Sequence, residues 1–306
     1  MQATLRTSLT FSGPGLHSGM TGRVTVRPAP AEYGIWFRRV DADRSHSLIA
    51  ARYHNVRHAP LCTRLANAAD VSVSTVEHIM AALAGCGVHN ALIEVEGPEI
   101  PILDGSAISF VEAIVDGGLR MLDVPVRAIE VLKSVEVSTG SARARLDPAD
   151  SLSIGFEIEF PDAAIGRQSK CLNMANGAFV RELCNSRTFC READVIAMHD
   201  RGLALGGTYE NAVVFDGARV LSPGGLRHAD EAVRHKMLDA LGDLALAGAP
   251  LVAAYTGTRA GHAITNELLH ALFADPAAYR MIEMDPARAA CLPGAGVTRT
   301  DLSLIA

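Results

Sequence analysis

The chain has 306 residues, 49% hydrophobic and 20% charged, with a formal net charge of -6. That is an ordinary soluble globular composition, and the length suggests two domains. A negative balance and 5% aromatic residues give no basis for general nucleic-acid binding, and no run reaches the roughly 18 apolar residues of a membrane span.

Residues 1 to about 66 read as strands and turns, with TGRVTVRPAP alternating and then breaking at prolines. The opening MQATLRTSLTFSG lacks the apolar core of a signal peptide. Cys62, Cys86, Cys171, Cys184, Cys190 and Cys291 form no CxxC pair and read as reduced thiols, so a cytoplasmic location is expected. DVSVS predicts a short strand at 70–74, STVEHIMAALAG a helix ending near Gly85, and NALIEVEG a strand. Asp104-Gly105 marks a turn. Ser106 then caps a helix that runs to Asp116 and stops at Gly117 and Gly118.

Pro125 marks a linker, and a fresh set of strands begins near Ala128. SLSIGFEIEF predicts a strand and NGAFVRELCNS a helix. Residues 188–210 mix helical spacing with Gly202, Gly206 and Gly207, the pattern of a mobile insert. DEAVRHKMLDALGDLALAG predicts a helix opened by Asp230 and closed by Gly248. LVAAYTG then reads as a strand and AITNELLHALFA as a closing helix. Each half therefore runs from early strands to helix, strand, helix. The expectation is an α+β fold of two similar domains, residues 1–125 and 126–306, each a sheet layered against helices, with an insert near 185–215 in the second.

The chemistry-bearing residues start from ordinary readings. His235, Asp239 and Asp243, four apart, share one face of the 230–247 helix, opposite Val233, Met237, Leu241 and Leu244. A polar stripe opposite an apolar one is most often solvated, and Lys236 beside it reads as a surface lysine. The sharper reading makes His235 and Asp239 two ligands of a divalent metal. Glu77 and His78 point about 100° apart on their helix, so one can ligate while the other reaches a bound water. Ser74-x-x-Glu77 also fits a capping box, which makes Glu77 a helix cap on local grounds. His262 stands between a strand end and a helix start, where catalytic groups and merely exposed histidines both occur. Thr188 alone signals nothing, PILDGSA reads as a structural turn, and PGLHSG, with His17, is a weak glycine-loop signal. GxGxxG, GxxxxGK[ST] and HExxH are all missing from the chain.

Taken together, GPGLHSG, RPAP, STVEHIMAALAG, VHNALIEVEGPEIPILDGSA, SRTF, RGLALGG, VRHKMLDALGDLALAG and AGHAITNELL occur in an order that resembles one family. It is the zinc-dependent UDP-3-O-acyl-N-acetylglucosamine deacetylases of lipid A (lipopolysaccharide) synthesis. The resemblance covers nearly the whole chain. It implies two similar sheet-and-helix domains with the active site between them, one catalytic Zn2+, and an acylated UDP-GlcNAc substrate. It matches His78, His235 and Asp239 to the metal ligands and Glu77 to the general base. It matches His262 to a second catalytic residue, Asp243 to its carboxylate partner, Thr188 to a hydroxyl near the oxyanion, and Lys236 to a substrate contact. Leu61, Phe189, Val195, Gly207, Tyr209 and Val214 fall where the family lines its acyl passage and cleft. A monomer is the family-based expectation.

Three N/O ligands leave zinc an open position for water, whose pKa falls to about 7. Glu77 would take that water's proton, and a cationic His262 held by Asp243 would serve the leaving amine, with Glu77 as the other candidate donor. The chain departs from the family at Arg191, where an aromatic is usual, and at Glu192. An arginine there is suited to a diphosphate or nucleotide rather than an apolar wall. Two other classes stay open at this level: an idle homologue that binds sugar nucleotide or metal as a regulator, and a zinc hydrolase of another acylated amine.

Overall fold

A computed structural model describes residues 1–305. It contains two five-stranded sheets of identical topology. In the first, the spatial order is Leu9–Pro14, Thr21–Pro28, Ala91–Glu96, Ile35–Arg39, Leu48–Ala50. In the second it is Val135–Thr139, Ala142–Asp147, Ala254–Thr258, Ser153–Glu159, Arg167–Asn173. Both sheets share one pairing sense. Ala91–Glu96 runs parallel to Ile35–Arg39, Ala254–Thr258 runs parallel to Ser153–Glu159, and every other neighbour is antiparallel. The expected echo between the halves is thus a repeat of topology.

Alternation in the sequence explains which face each sheet buries. Ala91, Ile93 and Val95 point inward along one strand, and Ile154, Phe156 and Ile158 do so along the other. Helices α1 (Glu77–Gly85) and α2 (Ile108–Gly117) belong to the first half. The second half holds α3 (Ala178–Glu182), α4 (Glu192–His199), α5 (Glu231–Leu244) and α6 (His262–Ala274). α5 and α6 cover the second sheet, and α1 lies against α5, so one apolar core runs through both halves. Each half also carries a three-stranded sheet. That of the first half holds Val56–Arg57, Arg64–Ala66 and Ser72–Val73, that of the second Phe189–Arg191, Val213–Asp216 and Arg219–Val220, and the second half has a further one of Leu251–Val252, Arg127–Val131 and Tyr279–Glu283. The stretch 188–210 therefore contains a strand and a helix, and the helix expected from NGAFVRELCNS shrinks to the five residues of α3.

Gly242 is what lets α5 touch α1. A Cβ at that position would stand 2.0 Å from the carbonyl oxygen of Glu77. Glycine costs a helix interior about 1 kcal/mol, and the close approach it permits offsets that cost. Gly242→Ala is therefore expected to lose about 1–3 kcal/mol by overpacking, read as a lower midpoint in thermal unfolding, and Gly242→Val more. An unchanged midpoint would mean that α1 and α5 can separate freely.

Candidate metal centre

The polar stripe of α5 is buried. His235, Asp239 and Asp243 are 3%, 5% and 3% exposed, because α1 covers the face opposite the helix's own apolar side. The solvated reading of that stripe is corrected here, and the reason is tertiary. α1 brings Glu77 and His78, both buried, to the same place.

Local structure at the start of α1 also differs from the capping-box expectation. Val76 holds the cap position with no side-chain bond. Glu77 turns inward instead, and its Oε2 accepts from the backbone N–H of Thr63 at 3.0 Å. Thr75, just before, has φ of 57, a left-handed conformation that costs a β-branched residue on the order of 1–3 kcal/mol. The entry to α1 is held against strain by its surroundings.

His78, His235 and Asp239 each offer a ligand atom within 4.8 Å of the others. Asp239 Oδ1 lies 3.6 Å from His78 Nε2 and 3.4 Å from His235 Nε2. Tetrahedral bonds of about 2.0–2.2 Å set ligand atoms about 3.3–3.6 Å apart, so these spacings suit zinc. Asp239 Oδ1 is buried with no hydrogen-bond partner, an orphan acceptor facing two imidazoles. His235 Nδ1 lies 3.0 Å from the Ser186 carbonyl, to which it can only donate, which leaves Nε2 as the lone-pair nitrogen. These residues could hold a metal ion.

Charge states agree with that use. Burial pulls His235 down to about 4, so it is neutral. Burial alone would raise Asp239, but His235 and Lys236 outweigh it and hold the carboxyl well below its usual range. Burial raises Glu77, only partly opposed by His262 and His78. Burial alone would lower His262, yet Asp243 and Glu77 carry it up to about 9. His262 Nδ1 contacts Asp243 Oδ2 at 2.8 Å, while its Nε2 lies 3.8 Å from Glu77 Oε1 and 3.9 Å from Asp239 Oδ2. Thr63 Oγ1 donates to Asp243 Oδ1 at 2.5 Å, tying both carboxylates to one residue.

The remaining expected site residues fall into two groups. Lys236 is half-buried, not a free surface lysine, and its Nζ donates to Asp239 Oδ2 at 2.8 Å. Phe189 sets its ring against His235, with centroids 6.3 Å apart. Half-buried Thr188 precedes it and is fixed by backbone bonds to Gly105 and Val213. The PILDGSA turn is structural, as its sequence suggests, but what it supports is Thr188. Val195, Gly207 and Tyr209 lie farther along the insert, and Tyr209 donates to Glu192. Val214 is buried in the small sheet, and Leu61 is 57% exposed in a left-handed turn. No hydrogen bond or ion pair joins this second group to the metal cluster. Arg191 is not aimed at a free anion. It is paired with Asp162 and Asp194.

A family model described as "LpxC: UDP-3-O-acyl N-acetylglycosamine deacetylase" matches residues 2–274, a span that contains every residue of this cluster. The chain belongs to that deacetylase family. Curated relatives in the deacetylase family carry the name UDP-3-O-acyl-N-acetylglucosamine deacetylase. The one from Phenylobacterium zucineum (strain HLK1) is 49% identical over 280 residues, covering 92% of this chain and 96% of the relative. The relative from Stenotrophomonas maltophilia (strain K279a) is 44% identical over 286 residues, 93% and 94% of the two chains. That from Geobacter sp. (strain M21) is 43% identical over 285 residues, 93% of each.

Within this deacetylase-family chain, three contributors escaped the sequence reading. Thr63 stands far along the chain from Asp243, and Glu99, which accepts from Thr75 Oγ1 and from the backbone N–H groups of His17 and Ser18, stands far from those donors. Ser186 acts through its backbone carbonyl, which no side-chain pattern reveals. Only the SRTF and PEIP motifs around two of them could have drawn attention there. Among the described residues no helix is long and apolar enough to cross a membrane.

Proposed function

We propose that the protein hydrolyses the N-acetyl group of UDP-3-O-(3-hydroxyacyl)-N-acetylglucosamine in lipid A biosynthesis. The products are acetate and the free 2-amino sugar nucleotide, still 3-O-acylated. The observation that carries this reading is the meeting of His78, His235 and Asp239 with Glu77 and His262 in one buried cluster. The relatives' shared name supports the choice of substrate. We also propose the division 1–125 and 126–306. It is supported by Leu119–Met121 pairing with Ala3–Leu5, whereas Arg127–Val131 pairs with Leu251–Val252 and Tyr279–Glu283.

When bound by His78, His235 and Asp239, zinc supplies a Lewis acid that acidifies water and polarises the amide carbonyl. Glu77 takes the proton of the attacking water on a carboxylate oxygen, and its raised pKa suits it to hold that proton. Thr63 N–H keeps the other oxygen in place. Asp243 fixes the His262 ring through Nδ1, so that Nε2 carries a proton toward the leaving amine. The Thr188 hydroxyl donates to the developing oxyanion. Lys236 meets the substrate from the edge of α5. Leu61, Phe189, Val195, Gly207, Tyr209 and Val214 line the acyl passage, a role supported by the exposed apolar surface of Leu61 and Tyr209. The enzyme acts as a monomer.

The test is acetate release from the acylated UDP-GlcNAc, measured together with metal content. One zinc per chain is expected. Chelation should abolish release and zinc should restore it, while Asp239→Ala should lose both metal and activity. A chain that holds one zinc and releases no acetate would leave a binding protein and end this reading.

A further inference from the structure

Glu99 is a buried carboxylate outside the metal cluster, 3% exposed, and among the described residues no cation pairs with it. It is held by three donors instead. Its Oε1 accepts from Thr75 Oγ1 at 2.7 Å and from His17 N–H at 2.9 Å, and its Oε2 accepts from Ser18 N–H at 2.8 Å. Burial alone would raise its pKa. Hydrogen bonds from the His17 and Ser18 backbone, the Ser18 hydroxyl and the Thr75 hydroxyl outweigh burial and keep it below the ordinary carboxylate range, so the group is an anion.

These donors come from two walls of the site. Thr75 is the left-handed residue two positions before Glu77. His17 and Ser18 belong to the loop Gly15–Gly19. That loop is bonded onward to the second half of the chain: Leu205 N–H donates to the His17 carbonyl at 3.2 Å and Gly206 N–H to the Leu16 carbonyl at 3.0 Å. The fit is close on both sides. A Cβ on Gly15 would stand 2.3 Å from Glu99 Oε2, and one on Gly206 would stand 2.2 Å from the Gly15 carbonyl oxygen. The loop also carries the His17 ring, which is buried with both nitrogens unpartnered.

We propose that Glu99 is a positioning residue for the deacetylation. Its carboxylate locks the strained entry of α1, which aims Glu77, to the Gly15–Gly19 loop and through it to residues 205–206. The two halves of the cleft then share one register before substrate arrives. A carboxylate is required because both oxygens must accept. An amide at this position turns an NH2 toward at least one of the three donors, and aspartate is one methylene too short to reach both walls.

The proposal uses the deacetylase reading for its assay, so it is tested in two ways. In Glu99→Gln, kcat should fall by roughly tenfold to a hundredfold, the effect of misplacing reacting groups by about 1 Å, with a smaller change in KM and unchanged zinc content. Thr75→Val, which removes the hydroxyl donor, should lose part of the same kcat, and Thr75→Ser, which restores it, should recover most of that loss. A Glu99→Gln enzyme with wild-type kcat would overturn the proposal. So would losses that merely follow lost zinc or lost folded protein, or a Thr75→Ser no better than Thr75→Val. Amide hydrogen exchange reads the clamp without any substrate. Glu99→Gln should speed exchange at His17, Ser18, Leu205 and Gly206, and unchanged protection there overturns the proposal whatever the assay gives. Absence of acetate release from the wild type, with exchange accelerated as expected, would remove the deacetylase reading and keep the clamp.

Discussion

Glu77→Gln is expected to lower kcat by about 10²–10⁴-fold while the protein keeps its full zinc content, the range that a positioned general base supplies. The three groups that could hold a metal do not include Glu77, so losing its charge leaves the ligand set intact. Glutamine has the shape of glutamate, and its amide oxygen can still accept from Thr63 N–H, as Glu77 Oε2 does at 3.0 Å. What it cannot do is take a proton from water. Glu77→Ala tests the same role less cleanly, because it also removes a buried side chain and strands the Thr63 N–H, which adds an instability of about 1–3 kcal/mol to the kinetic effect. The checks are acetate release at saturating substrate and zinc per chain on the same sample. A Glu77→Gln enzyme with the wild-type rate would take the base role away from this residue, and one that loses zinc would make it part of the metal's support.

α5 shows how much of this was legible in the sequence. Its bounds, its apolar stripe and its opposing His235–Asp239–Asp243 stripe are all periodic, and periodicity is a property of one helix alone. What covers the second stripe depends on Gly242 admitting α1, a contact between residues 165 positions apart that no spacing rule encodes. Glu77 failed in the opposite direction. Its local pattern matched a capping box, yet the structure gave the carboxylate to Thr63, and burial beside His262 outweighed the local bond. The twin sheets were legible as an order of elements, since strands and helices recur, while their side chains do not repeat. Arg191 pointed toward a diphosphate by its chemistry alone, and Asp162, at the turn between two strands, had already claimed it. In each case the sequence exposed the chemistry of a side chain and withheld its partner.

Replacing His262 should remove the alkaline limb of the pH–rate profile. The sign follows from its role. In its proposed role as proton donor to the leaving amine, His262 acts as a cation, so activity is expected below its pKa and is lost as pH rises through it. The charges of Asp243 and Glu77 carry that pKa up to about 9, against burial. Asp239 Oδ2 lies 3.9 Å from His262 Nε2, and a divalent cation held by Asp239 would pull the limb below that value. Asp243→Asn removes one of the raising charges and keeps an acceptor for Thr63 Oγ1, so its limb should move further toward acid while the fold is retained. His262→Ala should lower kcat by about 10²-fold or more, and its residual activity should no longer fall with rising pH in that range. The acid limb, assigned in the proposed mechanism to Glu77 gaining a proton as pH falls, should stay in both variants. If His262→Ala kept the alkaline limb of the wild type, that limb would report another group, with Lys236 the nearest cation on α5, and the leaving amine would draw its proton from Glu77.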